Sequence, residues 1–393
     1  MAGRTAHARK AIASGVADAE PNPSQDAAKQ LFSDGLAALD DGRLEDAERA
    51  FLASLEALPG RVPTLLNLAT TRLRMGRPVE ANAAAGAVLA GDPDHVDALA
   101  LRSDAFAMMG LTEHALAACD RALAADPRAA DVWSRRGGLL RQSGRLAEAG
   151  QAFGQAIAYG GDAELNGYYR AAVGRQETHT SAPSSYVAEL FDNYSAGFDA
   201  HLVGVLGYRA PTVLVEHLEE LATGPFRSAL DLGCGTGLCG RLVKPRVARL
   251  TGVDLAPRML DQARALGVYD RLERAEVVAW LGTNEETFDL ILAADVLVYI
   301  GELEPLFAAV RRALDPDGMF CFSVELADSG DFTLLPSLRY AHSERYVREL
   351  AAQHGFAVAR MLQAPLRLEA KEPIAGLYGY LRSVTRTSRP RRS

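Results

Sequence analysis

The chain has 393 residues, of which 48% are hydrophobic and 23% charged. That composition is ordinary for a globular chain and excludes global disorder or a collagen-like repeat, while the length exceeds the ~100–200 residues of one typical domain. A formal net charge of −8 excludes a broadly basic nucleic-acid or membrane-surface binder.

Taken in chain order, residues 1–25 open with MAGRTAHARKAIASGVADA, which holds basic residues but no Leu-rich core. The expectation there is a disordered leader, not a signal peptide. A periodic segment follows. Gly42, Gly76, Gly110 and Gly144 are each 34 residues apart, Ala47, Ala81, Ala115 and Ala149 keep the same step, and so do Pro59, Pro93 and Pro127. Each unit predicts two short helices: an apolar stretch, a turn at the Gly, and a second helix with small residues on one face. Small residues let neighbouring helices approach closely, and the Pro, lacking a backbone N–H, stops the second helix.

A 34-residue helix–turn–helix repeat resembles the tetratricopeptide (TPR) family. Leu31, Gly35, Leu44, Ala47, Phe51 and Pro59 match it in the first unit, and Trp133, Gly137, Leu146, Ala149 and Phe153 in the fourth. The fourth unit departs where Gly161 replaces the Pro. Residues 26–175 therefore predict a helical solenoid of four repeats, with Leu165–Arg175 as its capping helix. The resemblance implies a groove showing Lys29, Phe32, Arg74, Asp97, Asp104, Asp131 and Arg141. Its mixed signs fit self-association or a protein partner better than an acidic peptide tail.

The seam is expected at residues 176–185, followed by a catalytic domain over 185–384 and a basic tail over 385–393. Residues 187–214, VAELFDNYSAGFDAHLVGVLGYRAPTVL, are dense in Tyr, Phe and Asp. Tyr186, Phe191, Tyr194 and Phe198 fall at steps compatible with one helical face. Next comes SALDLGCGTGLCG at 228–240, an apolar run, a Gly-rich turn and a helical pattern. This is the first β–α unit of a doubly wound sheet. Val247–Asp254 reads as a second strand ending in an acid that can accept both hydroxyls of a ribose. Its helix is APRMLDQARAL; a short third strand leads to Ala275–Glu276–Val277, and FDLILAADVLVY is strand four. A helix at Leu303–Leu314, the turn DPDG, and GMFCFSVEL as strand five follow, with further strands near Phe356–Met361 and Leu377–Leu381. A seven-stranded, mostly parallel sheet results.

Two ligands remain open on the residues alone. Gly235, Gly237 and Gly240 satisfy G-x-G-x-x-G, which admits a nicotinamide dinucleotide. The fuller string DLGCGTG resembles motif I of the class I S-adenosylmethionine (SAM) methyltransferases. With the strings at 187–214 and 338–351, LRYAHSERYVRELA, the chain is similar to bacterial class I methyltransferases that carry TPR repeats at the N-terminus. That resemblance implies a Rossmann-like domain using SAM. Asp231, Gly233, Gly235 and Gly237 would line its methionine end, and Asp254 would take the ribose. Leu255 and Met259 would lie beside the adenine, Glu276 near its amino group, and Asp295 below the reacting centre. Tyr194 would belong to the roof.

The expected reaction moves a methyl group to an O or N nucleophile of a small metabolite or natural product. The alternative is a protein or peptide substrate recruited by the groove. His201 and His342 are the candidate bases because histidine titrates nearest neutral pH, with Tyr340 and Glu325 assisting. A carboxylate acceptor needs no base, and Arg209, Arg339 or Arg367 would then hold it. Four cysteines fit a reduced cytoplasmic setting. Cys234 and Cys239, five apart in one turn, read as packing and not as a metal site. Residues 176–381 carry 28 acids against 18 bases, which disfavours nucleic acid. No apolar run reaches the ~18 residues of a membrane span, since Leu290–Ile300 contains Asp295.

Overall fold

The computed structural model describes residues 23–174, 179–194, 207–222, 224–369 and 372–384. The basic tail, and all but residues 23–25 of the expected leader, lie outside the described residues. The chain divides into two compact units, residues 1–135 and 136–393.

The first unit holds α1 (Pro23–Asp40), α2 (Leu44–Ala57), α3 (Val62–Arg74), α4 (Pro78–Gly91), α5 (Val96–Met108) and α6 (Thr112–Ala125). It also takes the start of α7 (Ala130–Gln142). The 34-residue step has a conformational cause: Gly42, Gly76 and Gly110 adopt φ of 74°, 72° and 73°. In each turn the next residue's N–H reaches back five positions, Arg43 to Ala38 O at 2.8 Å, Arg77 to Arg72 O at 2.8 Å, Leu111 to Phe106 O at 2.9 Å. A left-handed residue closing such a bond ends a helix while satisfying its last carbonyls. The small-residue position has a steric cause, because a Cβ on Gly35 would sit 2.5 Å from Phe51 Cε1. As expected, α2, α4 and α6 stop two residues before Pro59, Pro93 and Pro127.

The groove residues are less available than their register implies. Arg74 donates to Leu39 O at 3.1 Å, Asp104 pairs with Arg135, and Phe32 lies 4.3 Å beneath the Arg61 guanidinium.

The second unit begins inside α7 and continues through α8 (Leu146–Ala158) and α9 (Ala163–Gly174). The compact units therefore part inside a repeat helix, whereas the seam in the sequence is expected at 176–185. The reason is visible in its bonds: Arg141 Nη1 donates to Pro336 O at 2.6 Å, and the buried Tyr168 hydroxyl to Leu338 O at 2.8 Å. The end of the repeat array is thus built into the second unit.

After α10 (Ser184–Tyr194) and α11 (Ala210–Leu221) the chain alternates strand and helix. The order is β1 (Phe226–Leu232), α12 (Leu238–Val243), β2 (Val247–Asp254), α13 (Pro257–Leu266), β3 (Arg271–Arg274), α14 (Val277–Thr283), β4 (Phe288–Ala293), α15 (Glu304–Ala313) and β5 (Leu314–Leu326). A hairpin of β6 (Phe332–Leu334) and β7 (Tyr340–His342) follows, then α16 (Glu344–Gln353), β8 (Phe356–Glu369) and β9 (Glu372–Ser383). The main sheet runs β3-β2-β1-β4-β5-β9-β8, with β9 antiparallel to both neighbours and the other pairs along that path parallel. The extra hairpin pairs with the end of β5 through Glu325–Ala341 and Leu326–His342, so the described sheet has nine strands and not seven.

Both faces of the sheet are covered. Phe320 and Phe322 of β5 join Leu230, Ile291, Phe307 and Val347 in one core, while Met319 and Cys321 join Leu290, Leu214 and Val243 in the other. That alternation is the period-2 pleat of a strand buried on both sides. Strand four ends earlier than its apolar run: Asp295 has φ 59°, and residues Leu297–Tyr299 form a 3-10 turn. Strand order reverses between β1 and β4, which opens a crevice at their C-terminal ends.

Gly110 makes a clean test of the repeat turn, since a Cβ there meets nothing within 4 Å and only φ opposes it. Gly110→Ala is expected to lower unfolding free energy by about 1–2 kcal/mol, measured by urea denaturation; no change would remove the turn argument.

Candidate active site

The crevice is a cavity of about 420 Å³ bounded by the ends of β1, β2 and β4, α10, the β6–β7 turn and β8. Its first wall is the loop after β1. A Cβ on Gly233, where φ is 61°, would sit 2.1 Å from Val296 Cγ2, so this position admits no side chain. The loop is tied to β2 by the Cys234 N–H donating to Val253 O at 3.1 Å and the Gly235 N–H donating to Asp254 Oδ2 at 2.8 Å. Asp254 Oδ1 accepts from the Ala256 N–H at 2.9 Å, so backbone donors orient the carboxylate. Burial raises its pKa, and those donors oppose the rise.

Behind the loop stands Tyr269, which the sequence reading did not single out. Its hydroxyl donates to Asp231 Oδ2 at 2.7 Å. Its ring occupies space that three glycines leave: an added Cβ would lie 3.1 Å from it at Gly237, 2.3 Å at Gly240 and 2.9 Å at Gly252. Gly240 therefore serves packing of the tyrosine. A glycine inside a strand, Gly252, was the legible sign of such a close approach. Burial pushes Asp231 up to about 7, the Tyr269 hydrogen bond holds it lower, and the neighbouring Asp254 charge raises it.

Asp231, Gly233, Gly235, Asp254, Leu255, Glu276 and Asp295 all line the cavity. Gly237 and Met259 do not: Gly237, with φ 94°, caps α12, and Met259 is fully buried in α13. Glu276 also caps α14, accepting from the Val278 N–H at 3.0 Å and the Ala279 N–H at 2.7 Å. Tyr186 and Phe191 line the cavity from α10. Tyr194 closes that helix, but its side chain, Phe198 and His201 lie outside the described residues.

The opposite wall is where the sequence expectations need correction. His342 is buried in the hairpin, with Nε2 3.0 Å from Gly301 O and its ring stacked on Tyr346. Burial lowers its pKa to about 4. Tyr340 is buried as well, and its hydroxyl donates to His179 O at 2.9 Å. Neither lines the cavity, and no described histidine does. A short strand at the end of β5 buries both faces, and that turns these two side chains inward.

The cavity is met there by Tyr299, Ser337, Arg339, Arg367 and Glu369. Arg367 is 3% exposed. It pairs with the buried Glu325 and lies 3.4 Å from Asp295 Oδ1. Asp295 is held in its left-handed conformation by its N–H donating to Ser323 Oγ at 2.9 Å. Arg209 does not line the cavity; its N–H donates to Leu366 O at 3.4 Å. Burial raises the thiol pKa of Cys234 and Cys239, consistent with packing. Among the described residues no cluster of His, Cys, Asp or Glu is placed to hold a metal ion, and no helix is long and apolar enough to cross a membrane.

Residues 230–320 match the family described as a methyltransferase domain, and residues 66–128 and 109–164 match the tetratricopeptide repeat. Methyltransferase-like protein 27 of Homo sapiens is 39% identical over 143 residues, covering 35% of this chain and 58% of that protein. The trans-aconitate 2-methyltransferase of Paracidovorax citrulli is 33% identical over 140 residues, covering 34% of this chain and 50% of that one. Among solved structures, N-methyltransferase NodS from Bradyrhizobium japonicum with S-adenosyl-L-homocysteine is 20% identical, with a TM-score of 0.40, covering 50% of this chain and 98% of that one. The chain spans about half the length of the curated relatives it matches. By sequence match and strand order together, the chain joins tetratricopeptide repeats to a domain of the class I SAM-dependent methyltransferase family.

Proposed function

We propose that the chain is a SAM-dependent methyltransferase acting on an O or N nucleophile of a small metabolite or natural product, its repeats serving self-association or partner binding. The observation that carries this reading is the polarity of one cavity. Its glycine-loop end presents Asp231, Asp254 and Glu276 with no described cation among them, while both of its arginines, Arg339 and Arg367, belong to the other wall, where Asp295 and Glu369 pair with them. A pyrophosphate beside Asp231 and Asp254 would meet like charge. The sulfonium and ammonium of SAM would meet opposite charge. A cavity of about 420 Å³ also falls within the usual range for sites of small ligands.

In this reading Asp254 takes the ribose hydroxyls, with Leu255 and Glu276 along the adenine side. Tyr186, Phe191 and Tyr299 exclude water from the transferring methyl, and the protein's main work is to align nucleophile and methyl in line. Calorimetry tests the cofactor directly. SAM is expected to bind and NAD not, with Asp254→Ala weakening SAM at least tenfold; binding of NAD alone would overturn the reading.

Asp231 adds a pH signature. Its pKa of about 7 means that it loses its charge as pH falls below neutrality, and a cation loses its attraction with it. SAM affinity is expected to fall up to about tenfold between pH 8 and pH 6. Asp231→Asn should flatten that dependence, and Tyr269→Phe, which removes the donor, should move its midpoint upward. A flat wild-type profile would refute the assignment.

The repeats can be tested without cutting into the catalytic unit. Removing residues 1–127, which stops before α7, should leave methylation of a small acceptor within about threefold of the full chain. A large rise in KM instead would favour a protein or peptide substrate delivered by the groove.

A further inference from the structure

The acceptor wall holds two arginines, and a polar group beside the second has no partner. Arg367 is matched by Glu325 and Asp295. Arg339, one quarter exposed, is bonded to the Tyr299 hydroxyl and has the half-exposed Glu369 carboxylate 3.7 Å away, with the charges of Asp295 and Glu325 also acting on it. Two residues earlier in the same turn, Ser337 Oγ is buried without a hydrogen-bond partner, and Ser337 and Arg339 both line the cavity. An unsatisfied buried hydroxyl costs ~1–3 kcal/mol unless something completes it.

The turn that carries the pair is rigid. The Leu335 N–H donates to Arg339 O at 2.8 Å, the Leu338 N–H to Leu335 O at 2.9 Å, and Leu338 has φ 65°. From outside, Arg141 and Tyr168 donate to Pro336 O and Leu338 O. A strained, doubly braced turn that presents a guanidinium and a free hydroxyl is a built receptor for an oxyanion.

We propose that the acceptor group is a carboxylate, held by Arg339 and Ser337 and methylated on oxygen; this rests on the methyltransferase reading above. One carboxylate oxygen attacks the methyl carbon as the carbon–sulfur bond breaks. The bonding pair goes to sulfur, and the products are a neutral thioether and a neutral methyl ester. No proton moves. An amine acceptor, protonated near neutrality, would first need a base. The described carboxylates of this wall, Asp295, Glu325 and Glu369, are all engaged with its two arginines, and no described histidine lines the cavity.

The test uses the full-length protein and SAM labelled in its methyl group. A cell extract is divided into acids retained on an anion exchanger and amines retained on a cation exchanger. Label is expected in the acid fraction and should leave as methanol in mild alkali. Arg339→Gln is expected to raise KM for that fraction at least tenfold, Ser337→Ala about threefold, and Arg339→Lys to restore part of the loss. All three variants should keep the SAM dissociation constant within twofold of wild type, which also shows that they fold. Label in the amine fraction, alkali-stable label, or SAM binding with neither fraction labelled overturns the carboxylate assignment alone. Failure of SAM to bind overturns the methyltransferase reading beneath it.

Discussion

The hydrogen bond from Tyr269 to Asp231 is the constraint on which the cofactor half of the site depends. An aromatic ring has to enter the region between β1, β2 and α12, and it can do so only because Gly237, Gly240 and Gly252 present no side chains. Once seated, it fixes the one carboxylate of β1 that faces the cavity and keeps water off its buried side. The backbone ties of Cys234 and Gly235 to β2 then set the loop's path. Gly237 and Gly240, which satisfy a dinucleotide pattern in the sequence, are in part the mould of a tyrosine.

At the opposite wall, order comes from charge compensation. Glu325 and Arg367 are both buried, and removing Arg367 would leave Glu325 without its partner, a loss of the kind that costs ~3–5 kcal/mol. Burial raises Glu325 and the guanidinium lowers it again. Asp295 joins the pair from a left-handed backbone conformation that ends β4 early. The glycine-loop end of the cavity thus carries carboxylates alone, while its only described cations stand at the other wall among Asp295, Glu325 and Glu369.

Much of this was legible in the sequence. The repeat step, the strand alternation and the carboxylates at the ends of β1, β2 and β4 all follow from spacing and apolar periodicity, which are local properties. Tyr269 was not legible, since it reaches Asp231 across 38 positions and only Gly252 hinted at it. His342 and Tyr340 misled for a related reason. Their chemistry was clear, but the direction of their side chains depends on a three-residue strand joined to β5. The ties from α7 and α9 to the β6–β7 turn were equally hidden, because Arg141 and Tyr168 bond to carbonyls 195 and 170 positions away.

Those two bonds bear on how such a protein diversifies. The turn carrying Ser337 and Arg339 is braced by helices of repeat type, not only by the nucleotide-binding sheet. Substitutions in α7 or α9 would reach this turn while leaving β1, β2 and the glycine loop untouched. A chimera joined at the usual start of a Rossmann-like domain would keep Ser337 and Arg339 but lose the two bonds that brace their turn. One wall of this cavity is therefore held by two folds at once.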